Sequence, residues 1–218
     1  MFHQSIHFQF KARYVSSAPI DKPYSNIWIV LHGYGQLAPF FIKKFQRLVD
    51  DQTLIIAPEG LSRFYLEDVT KRVATGNNRV GATWMTREER LTDIENYIHY
   101  LQAVYHAVKT SSTSSKVTLL GFSQGAATAT RWASAYPHLF SRLIIWAGIL
   151  PEDLEIQANN RAFKDLPLHL VYGKQDPFLS DDRMLKQQEI EGKLGIQSII
   201  HTFEGGHEIE SETLLKFK

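Results

Sequence analysis

"KVTLLGFSQGAATATRW" (residues 116–132) sets a serine between two glycines, behind an apolar run and ahead of an alanine-rich stretch. The run "VTLL" reads as a buried strand and "AATATRWASAY" as a helix, so Ser123 falls in a strand-to-helix turn. Gly121, Phe122, Ser123, Gln124 and Gly125 satisfy G-x-S-x-G, which demands a turn so sharp that its middle residue takes a strained backbone conformation. Such a turn presents the hydroxyl at the helix start, where N–H groups and the helix dipole favour a developing anion. Taken alone the pattern also suits an ordinary helix cap, so its meaning depends on the rest of the chain.

Three more β-branched runs bounded by turn signals, at 26–33, 52–60 and 169–177, read as buried strands like the one at 115–123. Weaker runs at 141–148 and 195–206 continue the series, and the alternating "HFQFKARYV" (7–15) predicts an antiparallel edge strand. Between them, Leu91, Ile94, Ile98, Leu101 and Val104 or Tyr105 recur at helical spacing over 86–109, behind a Thr86-x-x-Glu89 capping box. Strands alternating with helices argue for a mostly parallel sheet with helices on both faces. No long insertion separates the strands, so no large lid domain is expected; the longest stretch outside the core pattern runs over 60–86. The polar "TSSTSS" (110–115) reads as a connector.

With 218 residues, 44% of them hydrophobic, the chain can bury one full core, and a single domain over 1–218 is expected. Lysine plus arginine is 24 against 23 acids, a formal charge of +1 with no basic run, which argues against nucleic acid as a partner. The start lacks the apolar core of a signal peptide and no run approaches membrane-spanning length, so no integral membrane association is expected. The absence of cysteine excludes disulfides, thiolate metal sites and a cysteine nucleophile, and fits a reducing, cytoplasmic setting. Apolar residues in "ILPEDLEIQ" (149–157) and "LLKFK" (214–218) suit either core or an interface between copies.

Parallel sheets bind ligands beyond the carboxyl ends of their strands, here 32–36, 58–61, 121–125, 148–151, 173–179 and 204–207. A serine hydroxyl needs a base, and the base needs a carboxylate to orient it. His207 follows the last strand through a Gly-Gly turn, and Asp176 lies in the turn that ends the fourth main run, "YGKQDPF". The rival carboxylates Asp181 and Asp182 read as helix-start acids. The chain order Ser, Asp, His is the one associated with the α/β-hydrolase sheet. His32 suits a buried, backbone-bonded role, and His99 and His106 suit one helix face. For the oxyanion, one donor follows automatically as the N–H of Gln124; "LHGYG" offers the second, the N–H of Tyr34.

Together "LHGYG", "APEGLSRFY", "GATWM", "GFSQGAA", "YGKQDPF" and "EGGHEI" resemble the phospholipase/carboxylesterase family of small α/β-hydrolases, whose relatives include acyl-protein thioesterases. The resemblance runs from about residue 26 to the end. It implies Ser123, Asp176 and His207 as the catalytic set, Tyr34 and Gln124 as oxyanion donors, and neither metal nor organic cofactor. Gln36 and Ala126 stand where family members often carry Asp and Gly.

The expected activity is hydrolysis of small carboxylic esters through an acyl-serine, with a thioesterase, lysophospholipase or peptidase as alternatives on the same residues. From another class, a binding protein could hold a small ligand on the same scaffold, although it would be expected to lack one of the three residues. Trp84, Phe64, Phe178 and Leu179 are the candidate pocket residues. Arg63, Lys71, Arg72, Arg79 and Arg87 are interspersed with acids and read as a solvated mixed-charge surface rather than an anion site.

Overall fold

The computed structural model describes residues 2–112, 115–154, 163 and 165–218. Its strands are β1 (Tyr14–Ser16), β2 (Asn26–Leu31), β3 (Thr53–Pro58), β4 (Ser62–Tyr65), β5 (Val80–Thr83), β6 (Lys116–Phe122), β7 (Arg142–Trp146), β8 (Leu168–Gly173) and β9 (Ile199–Phe203). The α-helices are α1 (Ala38–Phe41), α2 (Val69–Thr75), α3 (Arg90–Lys109), α4 (Gln124–Ala135), α5 (Asp181–Leu194) and α6 (Ser211–Leu215), and a 3-10 segment, Ile42–Leu48, continues α1. Seven strands form one sheet in the order β1-β3-β2-β6-β7-β8-β9, parallel throughout except for β1. No helix among the described residues is long and apolar enough to cross a membrane.

The central strands are apolar on both sides because both faces are covered. Along β2, Ile27, Ile29 and Leu31 meet Tyr97 and Leu101 of α3, Trp132 of α4 and Ile190 of α5 in one core. The alternate residues Trp28 and Val30 meet Phe41, Phe45, Leu48, Leu214 and Phe217 in the other. The chain runs from β2 outward to β3 and later returns beside β2 as β6, so strand order reverses between β2 and β6. That switch point is where a crevice opens in such sheets. Parallel pairing of Leu31 with Gly121 brings the loop after β2 beside the turn after β6.

The β6-to-α4 turn works only with glycines. A Cβ on Gly121 would lie 2.2 Å from the Gly125 carbonyl oxygen, and one on Gly125 would lie 2.3 Å from that of Leu31. Ala126 is fully buried, and its methyl fills space that a side chain at Gly148 would take, at 2.5 Å. The Gly-to-Ala departure at 126 is therefore accommodated by the bare backbone at 148.

Four expectations are corrected. The edge strand shrinks from 7–15 to Tyr14–Ser16, because β3 ends at Pro58, the partner of Tyr14; past that pair the backbone ladder carries on, among the described residues, only through the Glu59 N–H to the Arg13 carbonyl at 3.3 Å. Phe2, Ile6, Phe8 and Phe10 are left exposed. The stretch 60–86 holds structure of its own: β4 and β5 pair as an antiparallel hairpin, and α2 is capped where the Asp68 carboxylate accepts the Lys71 N–H at 2.9 Å. The capping box does not form; the Thr86 N–H donates to Asp93 instead, at 3.0 Å, and α3 starts at Arg90. Leu91 consequently points to solvent, and the buried face is Tyr97, Leu101, Val104, Tyr105 and Val108. The "LLKFK" and "ILPEDLEIQ" stretches contribute Leu214, Phe217, Leu150 and Leu154 to the core, with 155–157 outside the described residues, as are 113 and 114 of the polar connector.

His169 on β8 and His201 on β9 share one hydrogen bond, Nδ1 to Nε2 at 3.0 Å, so one ring donates and the other accepts. Burial first, then the nearby His201 and Arg142, push His169 down to about 4. The folded state thus favours the neutral ring, and the unfolded chain binds the proton more readily between that value and the ordinary 6.5. Stability from this pair is full above the ordinary value and is lost as pH falls toward 4. Between pH 7 and pH 4.5 the thermal midpoint of the wild type should drop further than that of His169→Gln; equal drops would show that the pair contributes nothing. Denaturant unfolding should show Gly121→Ala destabilised by about 3 kcal/mol or more, from overpacking against backbone. Ala126→Gly should cost roughly 1–2 kcal/mol, from the lost methyl and the added backbone freedom.

Candidate active site

Ser123 occupies the turn between β6 and α4 at φ 55° and ψ −116°, a region side chains rarely adopt. The strain is held by pairing on both sides: its N–H donates to Trp146 of β7 at 2.9 Å, and its carbonyl accepts the Ala126 N–H at 3.0 Å. The hydroxyl then stands at the first turn of α4 with His207 Nε2 2.9 Å away.

His207 Nδ1 lies 2.7 Å from Asp176 Oδ2, and the other carboxylate oxygen accepts the Phe178 N–H at 2.9 Å. The Asp176 side chain is wholly buried, whereas His207 keeps 21% of its side chain open. A buried carboxylate on Nδ1 fixes the proton there and leaves the Nε2 lone pair facing the serine hydroxyl. The two loops are lashed together by backbone: Lys174 N–H donates to Phe203 at 3.0 Å and Gln175 N–H to Gly205 at 2.9 Å. The Trp146 indole holds the far side of the histidine loop through the Glu208 carbonyl at 2.8 Å. Phe122 and Phe178 pack against the imidazole at centroid distances of 5.0 and 4.7 Å.

The loop after β2 is shaped by Gln36, whose side-chain oxygen accepts the Gly33 N–H at 2.9 Å while its own N–H reaches back to the Gly33 carbonyl at 3.2 Å. Gly35 and Gln36 bridge to Ala82 on β5, so the hairpin braces this loop. Tyr34 at its tip stacks its ring on Phe64 at 4.9 Å. The side chain of Gln124 is equally engaged. Its amide nitrogen donates to Thr83 Oγ1 and the Met85 carbonyl, both at 2.9 Å, and its oxygen accepts the Trp84 N–H at 3.2 Å. Among the described residues, no protein acceptor takes the backbone N–H of Tyr34 or of Gln124. Both residues line the cleft that holds Ser123 and His207, a space of about 700 Å³.

Of the candidate pocket residues, only Phe178 lines this cleft. Trp84 is corrected: it is 2% exposed, its indole N–H donates to the His32 carbonyl at 2.8 Å, and its ring packs on His32 and Tyr97. It supports the floor of the site instead of facing a ligand. Phe64 packs on the Tyr34 ring, and neither it nor Leu179 lines the cleft. His32 is fully buried, donating from Nδ1 to Gly33 at 2.8 Å and accepting the Gly60 N–H on Nε2 at 2.9 Å; burial holds its pKa below the ordinary value.

Sequence reasoning marked Gln36 only as a departure from the family pattern and missed Thr83 and the buried Glu59. Burial alone would raise the Glu59 carboxyl, but bonds from Arg13 at 2.8 and 2.9 Å and Arg63 at 2.7 Å overcome this and hold it below the ordinary value. Its Oε2 also accepts the Ala38 N–H, tying the loop after β3 to α1. Only the "GATWM" motif hinted at the brace, by setting Thr83 and Trp84 beside one another. Among the described residues no group of three or more histidine or acidic side chains is placed to hold a metal ion.

Comparison with known proteins follows the same lines. The chain resembles maize (Zea mays) acyl-protein thioesterase 2 at 19% identity, with 95% of this chain and 96% of that one covered and a TM-score of 0.68. Esterase PE8 superposes at 21% identity, with coverage of 95% and 96% and a TM-score of 0.66. For the Bacillus cereus carboxylesterase the values are 15% identity, coverage of 94% and 91%, and a TM-score of 0.63. At these identities the likeness establishes the α/β-hydrolase fold. A search of the curated proteins found no match. The phospholipase/carboxylesterase family model matches residues 15–218, nearly the whole chain, and the protein belongs to that family of hydrolases.

Proposed function

We propose that this protein is a serine hydrolase that cleaves small carboxylic esters through an acyl-serine intermediate. The observation that carries the reading is the unbroken relay from Asp176 through His207 to Ser123, at 2.7 and 2.9 Å, opening on a cleft. Ser123 Oγ attacks the ester carbonyl as His207 Nε2 takes its proton. Negative charge gathers on the carbonyl oxygen, and the N–H groups of Tyr34 and Gln124 receive it. His207 then hands the proton to the departing alcohol. Water, deprotonated by the same nitrogen, attacks the acyl-serine and releases the acid, restoring Ser123. Asp176 keeps Nδ1 protonated and stabilises the imidazolium that forms between the two proton transfers.

The backbone donors cannot be deleted by side-chain exchange, so the relay is the part to probe. Ser123→Ala should lower kcat/KM on p-nitrophenyl butyrate by roughly 10⁴-fold or more, and Asp176→Asn by about 10⁴-fold through the wrong tautomer. A fluorophosphonate probe should label the wild type on Ser123 and leave Ser123→Ala unmodified. Full turnover by Ser123→Ala would refute the assignment, and failure of the wild type to label would favour a ligand-binding protein on this scaffold.

A further inference from the structure

The cations singled out in the sequence do not line the cleft. Arg63 is engaged by Glu59 and Lys71 by Glu67, while Arg72 lies over the Tyr65 ring at 3.8 Å. Three other arginines line the cleft of Ser123 and His207: Arg90 from the first turn of α3, Arg131 from α4 and Arg183 from the first turn of α5. From these we infer that the ester cleaved here carries an anionic group, a carboxylate or a phosphate, apart from the bond that breaks. This rests on the hydrolase reading above.

The charge balance of the cleft wall supports it. Asp153 is shared by two cations: Arg131 grips it at 2.7 Å through Nη2, and Arg90 bonds the other oxygen. One carboxylate between two guanidinium groups leaves a positive excess there. Arg183 donates to the Phe178 carbonyl at 2.8 Å, an acceptor without net charge. The remaining acid of the wall, Glu152, has its own partner in Lys186 at 3.4 Å. Asp181 and Asp182 precede Arg183 in the first turn of α5 but do not line the cleft.

Helix geometry adds to the excess. A cation in a first turn lies at the positive end of its helix dipole, where it is disfavoured, and both Arg90 and Arg183 are so placed. An anion bound between them would relieve both. Guanidinium groups suit carboxylate and phosphate through paired donors. Arg131 is built in, with contacts to the Tyr97 hydroxyl and the Met85 sulfur, while Arg183 is exposed and held by the neutral Phe178 carbonyl.

The test compares matched esters that differ by one charge. On the acyl side the pair is p-nitrophenyl hydrogen pimelate and its ω-methyl ester; on the alcohol side it is the butyryl esters of 4-hydroxybenzoate and of methyl 4-hydroxybenzoate. The wild type should favour the charged member of at least one pair about tenfold more strongly than Arg90→Gln/Arg183→Gln does, with the difference in KM. Equal ratios in wild type and variant for both pairs would overturn the inference. Free pimelate and inorganic phosphate, titrated by calorimetry, separate the two anion chemistries, and each should bind the wild type more tightly than the variant if it is the group recognised. If no ester is cleaved and Ser123 does not label, the hydrolase reading fails by itself; calorimetry then decides the anion site, which stands if either anion binds in an arginine-dependent way and falls if neither does.

Discussion

The approach of the first turn of α4 to the backbone of β2 and β6 is the constraint on which the site depends. It places the start of a helix directly against the end of two strands, and it forces Ser123 into a conformation that no unsupported serine would hold. The cost, on the order of 1–3 kcal/mol for such backbone strain, is met by the paired groups on either side and by the fully buried Ala126 beside them. What results is a hydroxyl whose position is set by packing of main chain, with little left to side-chain rotation.

The same economy extends to the groups around it. Gln124 uses its side chain to hold the hairpin and its backbone to face the cleft, while Gln36 closes the loop that presents Tyr34. Glu59, His32 and Trp84 form the layer beneath, each buried and each bonded to backbone of a different segment. Such a layer is preorganised: its dipoles are oriented before any ligand arrives, which is the property that gives electrostatic stabilisation its effect in a low-dielectric site.

The main strands of the parallel sheet and the Ser, Asp, His order were legible because they are written in local signals, β-branched runs followed by turn residues. The hairpin was not. Its strands are four residues each, and β4 is largely exposed, so neither the period nor the burial of a core strand is expressed. Thr86 and Glu89 have the right spacing for a capping box, yet Asp93 competes for the same N–H from within the helix and wins. Trp84 was misread as a pocket residue because an aromatic near a strand end looks alike whether it faces a ligand or the core. Arg131 went unremarked for the opposite reason: inside a small-residue helix it carries no pattern, and only the fold shows that it shares a cleft with Ser123.

Ser123 caps α4, and Arg131 lies eight residues further along it. The two are therefore ends of a rigid ruler, with an axial interval of about 12 Å fixed by helical rise. Loops can lengthen or shorten by single residues at little cost, but a helix packed on both β6 and β7 cannot. The spacing between the Ser123 hydroxyl and this charge is thus insulated from the insertions that reshape neighbouring loops. A change in the length of molecule accommodated would have to come from exchange of side chains along α4 or across from it.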